Sequence, residues 1–111
     1  MSDLVTKRCV ACTAETPRVA PAEVTRLMAM LPGYKADLLV GSISKAYEFE
    51  DFYETMAFVN ALAYIAHVED HHPDLAVSYN RCSVTFTTHA IGGLSENDFI
   101  CAAKIEALVR R

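Results

Sequence analysis

Apolar positions along this chain follow two periods in turn, and the switches between them mark out seven elements. Val24, Leu27, Met28 and Leu31 recur at helical spacing after Pro21, which suits a first helical turn, and Pro32-Gly33 stops the run. Tyr34 to Val40 and Ile43 to Phe49 read as a hairpin about a Gly41-Ser42 turn, although Lys45 interrupts the alternation. Asp51, with Glu54 three residues on, has the form of a capping box and opens a second helix. Its predicted apolar stripe is Phe52, Met56, Val59, Leu62, Ala63 and Ala66, and it ends near Glu69 or Asp70, because the residue before Pro73 is driven toward extended geometry. Leu75, Val77 and Tyr79 share one face of a strand that turns at Asn80-Arg81. Cys82, Val84, Phe86 and Thr88 then alternate with Ser83, Thr85, Thr87 and His89, which places His89 on the polar face of a strand. After a Gly92-Gly93 loop, Ser95 is an N-cap for a last helix through Ile100, Cys101, Ile105 and Leu108. Residues 1–18 read as an irregular arm and 19–111 as one domain. The order α-β-β-α-β-β-α predicts an α+β fold, a four-stranded antiparallel sheet with helices on one face and the other face open.

Composition sharpens this picture. With 111 residues, 52% of them hydrophobic, and a mean hydropathy of +0.17, the chain is apolar for so small a domain, and a subunit interface would absorb the excess. Net charge is -4, and no Lys or Arg occurs between Ala46 and Asn80, where seven carboxylates fall. A polyanion would be repelled there, so nucleic-acid binding is not expected. The longest apolar stretch, Met56 to Val68, is interrupted by Asn60 and too short to span a bilayer. With no signal-peptide pattern in view, a cytoplasmic protein with its four cysteines as thiols is expected. Cys9 and Cys12 form a lone CxxC, a weak motif by itself, while Cys82 and Cys101 sit at core-like positions.

The candidate chemistry lies with the histidines. His71 and His72 stand where a helix hands over to a strand, His67 is just upstream, and His89 precedes the paired glycines. Histidine titrates near neutral pH, so such a set suits proton transfer. Two other readings stand beside it: a three-histidine metal site of His67, His71 and His89, which no cysteine or carboxylate at metal spacing supports, and three separately hydrogen-bonded structural histidines.

Asp70-His71-His72-Pro73-Asp74, Tyr79-Asn80, Thr87-Thr88-His89 and Gly93-Leu94-Ser95 with Asp98 together resemble the pterin-4a-carbinolamine dehydratase family, also called the dimerization-cofactor family. Leu31-Pro32-Gly33-Tyr34 and the Phe49–Phe52 segment extend the likeness, which covers roughly Pro21 to Leu108. The resemblance implies an α+β fold, a homodimer or homotetramer, and neither metal nor cofactor. It implies dehydration of 4a-hydroxytetrahydrobiopterin to the quinonoid dihydropterin, which recycles the cofactor of phenylalanine hydroxylase. By the same resemblance His71, His72 and His89 are catalytic: His71 is the main general acid, His89 its acid–base partner, and His72 positions the substrate. Asp70, Asp98, His67 and Thr88 would then touch the pterin or orient the histidines. The alternative that the resemblance carries is a non-catalytic dimerization cofactor or assembly factor on the same fold. Three departures from the family pattern stand out: His67 replaces a frequent carboxylate, Tyr34 and Leu75 replace frequent tryptophans, and Ala90-Ile91 replaces more polar residues.

Overall fold

A computed structural model of the chain describes residues 3–109. The elements are α1 (Pro21–Met28), β1 (Lys35–Asp37), β2 (Ser42–Glu48), α2 (Phe52–Glu69), β3 (Asp74–Ser78), β4 (Arg81–Phe86) and α3 (Glu96–Val109), with short 3₁₀ turns at Asp3–Thr6 and His89–Ile91. The strands form one antiparallel sheet in the order β1-β2-β4-β3. This is the α+β order and four-stranded sheet read from the sequence. Ile43 lies opposite Phe86 and Tyr47 opposite Cys82, and all four are buried on the face that the helices cover.

Lys45 shares that inward register, opposite Val84. It does not break the alternation, because its ammonium is satisfied inside. Nζ pairs with Glu106 Oε1 at 2.8 Å, donates to the Pro32 carbonyl and lies 4.8 Å from the centroid of the Tyr47 ring. Gly33 lies beyond the end of α1 at Met28; its φ of +92° favours glycine, and a side chain there would meet the flexible end of Lys45 at 2.9 Å.

Four expectations need correction. β1 is short and does not run to Val40, because the Asp37 carboxylate accepts from the Leu39 and Val40 amides (3.1 and 3.2 Å) and folds the chain into a turn. Leu38, Leu39 and Val40 therefore project from the tip. The stripe of α2 is rotated: Thr55, Phe58, Leu62 and Glu69 are buried, whereas Phe52 and Ala63 are exposed. Because α2 is apolar nearly all round, its period does not select a face. β4 ends at Phe86, so His89 is in a 3₁₀ turn and not on the strand's polar face. In α3, Phe99 to Ala103 are buried consecutively, because α2 and the Asp3–Thr6 turn both pack on it, while Leu108 is 42% exposed. No helix among the described residues is long and apolar enough to cross a membrane.

Burial separates leucines that the sequence treats alike. Leu62→Ala, at 1% exposure, is expected to cost about 2–5 kcal/mol. Leu39→Ala, at 100% exposure, should change stability by less than about 0.5 kcal/mol. Urea unfolding of the two variants beside the parent checks the contrast.

Candidate active site

α2 starts and stops on local signals. The Asp51 side chain accepts from the Glu54 amide (2.8 Å), and Glu54 in turn accepts from the Glu50 amide. At the far end Asp70 takes a left-handed conformation (φ 53°) and is the only non-glycine residue among those described with positive φ. The Asp70 amide donates to the His67 carbonyl and the His71 amide to the Ala66 carbonyl. That is a Schellman closure with aspartate in the place usually taken by glycine. The reversal turns the chain off the helix axis, so His67 and His71 do not continue along one helical face.

His71 turns inward there. Its side chain is 11% exposed, its ring lies parallel to Phe86 at 6.0 Å, and Nε2 is 2.7 Å from Asp98 Oδ1. The other oxygen of Asp98, Oδ2, accepts from the Thr88 hydroxyl (2.8 Å) and from the Ser95 amide (2.9 Å). Since Thr88 donates its one hydrogen to Asp98, the Ser95 hydroxyl, 2.7 Å away, donates to Thr88. An ionised Asp98 can only accept, and with it the hydrogen of that pair lies on His71 Nε2 and Nδ1 is left for other work. The Ser95–Asp98 contact is also one half of a capping box at α3, the carboxylate accepting from the amide of the residue before the helix, so helix start and site share one carboxyl group.

A groove of about 350 Å³ opens beside His71 and is walled by Leu62, Ala63, Ala66, Pro73 and Leu75, with His67, Asp70, His71 and His72 along it. His72 is exposed, with Nδ1 3.4 Å from the Pro73 carbonyl oxygen. His67, Asp70, His71 and His72 are therefore brought together. Thr88 and Asp98 are buried and bonded to one another, and neither lines the groove. His89, exposed in its 3₁₀ turn, does not line the groove. Leu75 forms a wall of the groove, and Tyr34 is a buried core residue whose hydroxyl is 2.9 Å from that of Tyr47. A larger concavity of about 670 Å³ lies between β2, α2 and the end of α3, but it holds no histidine, so the chemistry favours the smaller groove. Among the described residues, no three His, Cys, Asp or Glu side chains are arranged to hold a metal ion.

Residues 17–108 match the family model described as pterin 4 alpha carbinolamine dehydratase. The chain belongs to the pterin-4a-carbinolamine dehydratase family. A Nitrosospira multiformis relative named for this dehydratase is 55% identical over 108 residues, spanning 97% of this chain and 94% of the relative. One from Stenotrophomonas maltophilia is 48% identical over 114 residues, spanning 100% and 98%. The crystal structure of a transcriptional coactivator/pterin dehydratase from Brucella melitensis superposes with a TM-score of 0.81 at 30% identity, over 85% of this chain and all of that one. A pterin dehydratase-like RuBisCO assembly factor of the α-carboxysome shares the fold, with a TM-score of 0.56 at 22% identity over 68% of this chain and 84% of that one.

Sequence reasoning missed Glu69, the buried last residue of α2. It accepts from the Cys9 amide (2.8 Å) and from Arg8 Nε (3.0 Å), and Lys104 Nζ lies 3.8 Å away. Its one sequence signal was a carboxylate within an apolar helix. Burial alone would raise its pKa, but the Cys9 amide and the Arg8 and Lys104 cations outweigh that and hold it below the usual glutamate range. A depressed carboxyl stabilises the fold above its unfolded-state pKa and loses that contribution as pH falls through the folded value. Hydrogen-exchange protection of the Cys9 amide should therefore be full at neutral pH and decline on the acid side of the ordinary glutamate range. In Glu69→Gln that acid step should vanish.

Proposed function

We propose that this chain is a 4a-hydroxytetrahydrobiopterin dehydratase acting by histidine acid–base catalysis. The observation that carries the reading is the His71–Asp98 pair, fixed at 2.7 Å at the wall of an open, partly apolar groove. The groove's apolar walls suit a flat heterocycle, and the Asp70 carboxylate can accept from its N–H groups. His71 protonates the 4a-hydroxyl through Nδ1. The C4a–O bond breaks, the N5 proton is taken by a base, C4a=N5 forms and water leaves. Asp98 keeps His71 in the tautomer that presents Nδ1 and steadies the ring when it is charged. His72 positions the pterin, His67 and Asp70 line its path, and Thr88 holds Asp98. His89 is the partner for the second proton; it sits outside the groove of the single chain, and a bound pterin would have to extend to it.

In this reading the enzyme works in the cytoplasm, recycling pterin for an aromatic amino acid hydroxylase such as phenylalanine hydroxylase. It also works as a homodimer or homotetramer. Exposed Tyr53 (82%), Tyr64 (69%) and Val68 (42%) on α2 are the apolar surface that favours self-association. A non-catalytic dimerization or assembly role is the alternative, and the Brucella melitensis relative, described as both coactivator and dehydratase, keeps it in play.

Dehydration of enzymatically generated 4a-hydroxytetrahydropterin, followed by ultraviolet absorbance, separates the two. The parent protein should accelerate the reaction over the spontaneous rate, and His71→Ala should lose about 10²–10⁴-fold of that acceleration. A parent rate equal to the spontaneous one would overturn the catalytic reading and leave the binding role.

A further inference from the structure

The N-terminal arm is bonded to residues that flank the His71–Asp98 pair in sequence. Arg8 Nε and the Cys9 amide both donate to Glu69, two residues before His71. The Val10 amide donates to Asn97 Oδ1 at 3.1 Å, and Asn97 Nδ2 donates back to the Val10 carbonyl at 2.6 Å, so the Asn97 amide closes a two-bond clasp on the arm one residue before Asp98. Cys9 Sγ also lies 3.4 Å from Cys101 Sγ, which in turn is 3.8 Å from the His71 carbonyl oxygen.

These contacts meet a mechanical need. His71 comes from the loop after α2 and Asp98 from the first turn of α3. Apolar helix packing is non-directional and does not set a hydrogen bond between two such segments to a few tenths of an ångström. Glu69 (9% exposed) and Asn97 (4%) are both buried, so their polar atoms must be bonded, and three consecutive arm residues bond them. The family match begins at residue 17, so the strap lies outside it.

We propose that residues 8–10 are a strap that sets the His71–Asp98 geometry by joining the end of α2 to the start of α3, with Asn97 as a positioning residue. This rests on the reading of His71 as the acid. None of residues 8–10 lines the groove, so loosening the strap acts on the proton-transfer step more than on pterin binding.

The test uses the full chain with Asn97→Ala, which opens the clasp from the helix, and Val10→Pro, which removes the donor from the arm. The Val10 side chain is 69% exposed, so its replacement loses little packing. Limited tryptic cleavage after Arg8 reports arm release, ring-nitrogen NMR shifts report the His71–Asp98 bond, and steady-state kinetics separates kcat from KM. Both variants are expected to release the arm, to move the His71 ring shifts, and to lower kcat on the order of tenfold, with KM changed less than about twofold. An arm that stays docked, or a released arm with parental His71 shifts and kcat, overturns the strap. Circular dichroism identifies a variant that fails to fold, and the other then decides the question. If the parent protein itself does not dehydrate the pterin, the functional reading fails separately, and the His71 ring shifts alone decide the strap.

Discussion

The carboxyl group of Asp98 has no contact with solvent, and much of the rest of the structure follows from satisfying it. An unpaired polar group in that position would cost about 1–3 kcal/mol, more if charged. Its partners come from three separate places: the loop after α2, the segment after β4, and the N-cap of α3. Bringing them together requires the sheet to end β4 at Phe86, the Thr88–Gly93 bridge to bend the chain back, and α2 to release His71 in the right direction. The same bonds that orient the candidate acid also start a helix. Site geometry and fold stability therefore cannot vary independently here.

Close approach of backbone governs the loop that supplies two of those partners. A side chain on Gly41 would come within 2.7 Å of Gly93 Cα, and Thr87 Oγ1 donates to the Gly41 carbonyl at 2.6 Å. The tip of the first hairpin is thereby pressed against the Gly92-Gly93 loop. Those glycines serve backbone geometry. The contact carries the position of β2 to Thr88 and Ser95.

What could be read from the sequence was what local rules decide. The start of α2 at Asp51, its end at Glu69, the hairpin between β3 and β4, and the start of α3 after Ser95 all rest on short-range chemistry. The buried face of α2 was not legible, because Phe52, Met56, Phe58, Val59 and Leu62 offer apolar side chains in several directions, and tertiary contact chose among them. Lys45 and Glu106 were illegible for a related reason: a charge looks like an outward position until a partner 61 residues away proves to be beside it. At the site, His71 and His72 stood out by type and place. His89 was drawn onto the strand by an alternation that continued in sequence after the sheet had ended. The arm gave no period at all, and its role became visible only through Glu69 and Asn97.

Asp70 is where local economy yields to the site. A left-handed residue at a helix end is cheapest as glycine, and aspartate is tolerated there at a cost on the order of 1 kcal/mol. The Schellman bonds would form equally well with glycine, so helix termination does not call for the carboxylate. Asp70 instead lines the groove, adjacent to His71. Strain in one residue, overdetermined by the bonds of His71 to Ala66 and Asp98, falls at the edge of this groove. The groove, and not the larger concavity beside β2, is where backbone strain, buried polar pairing and exposed histidines coincide.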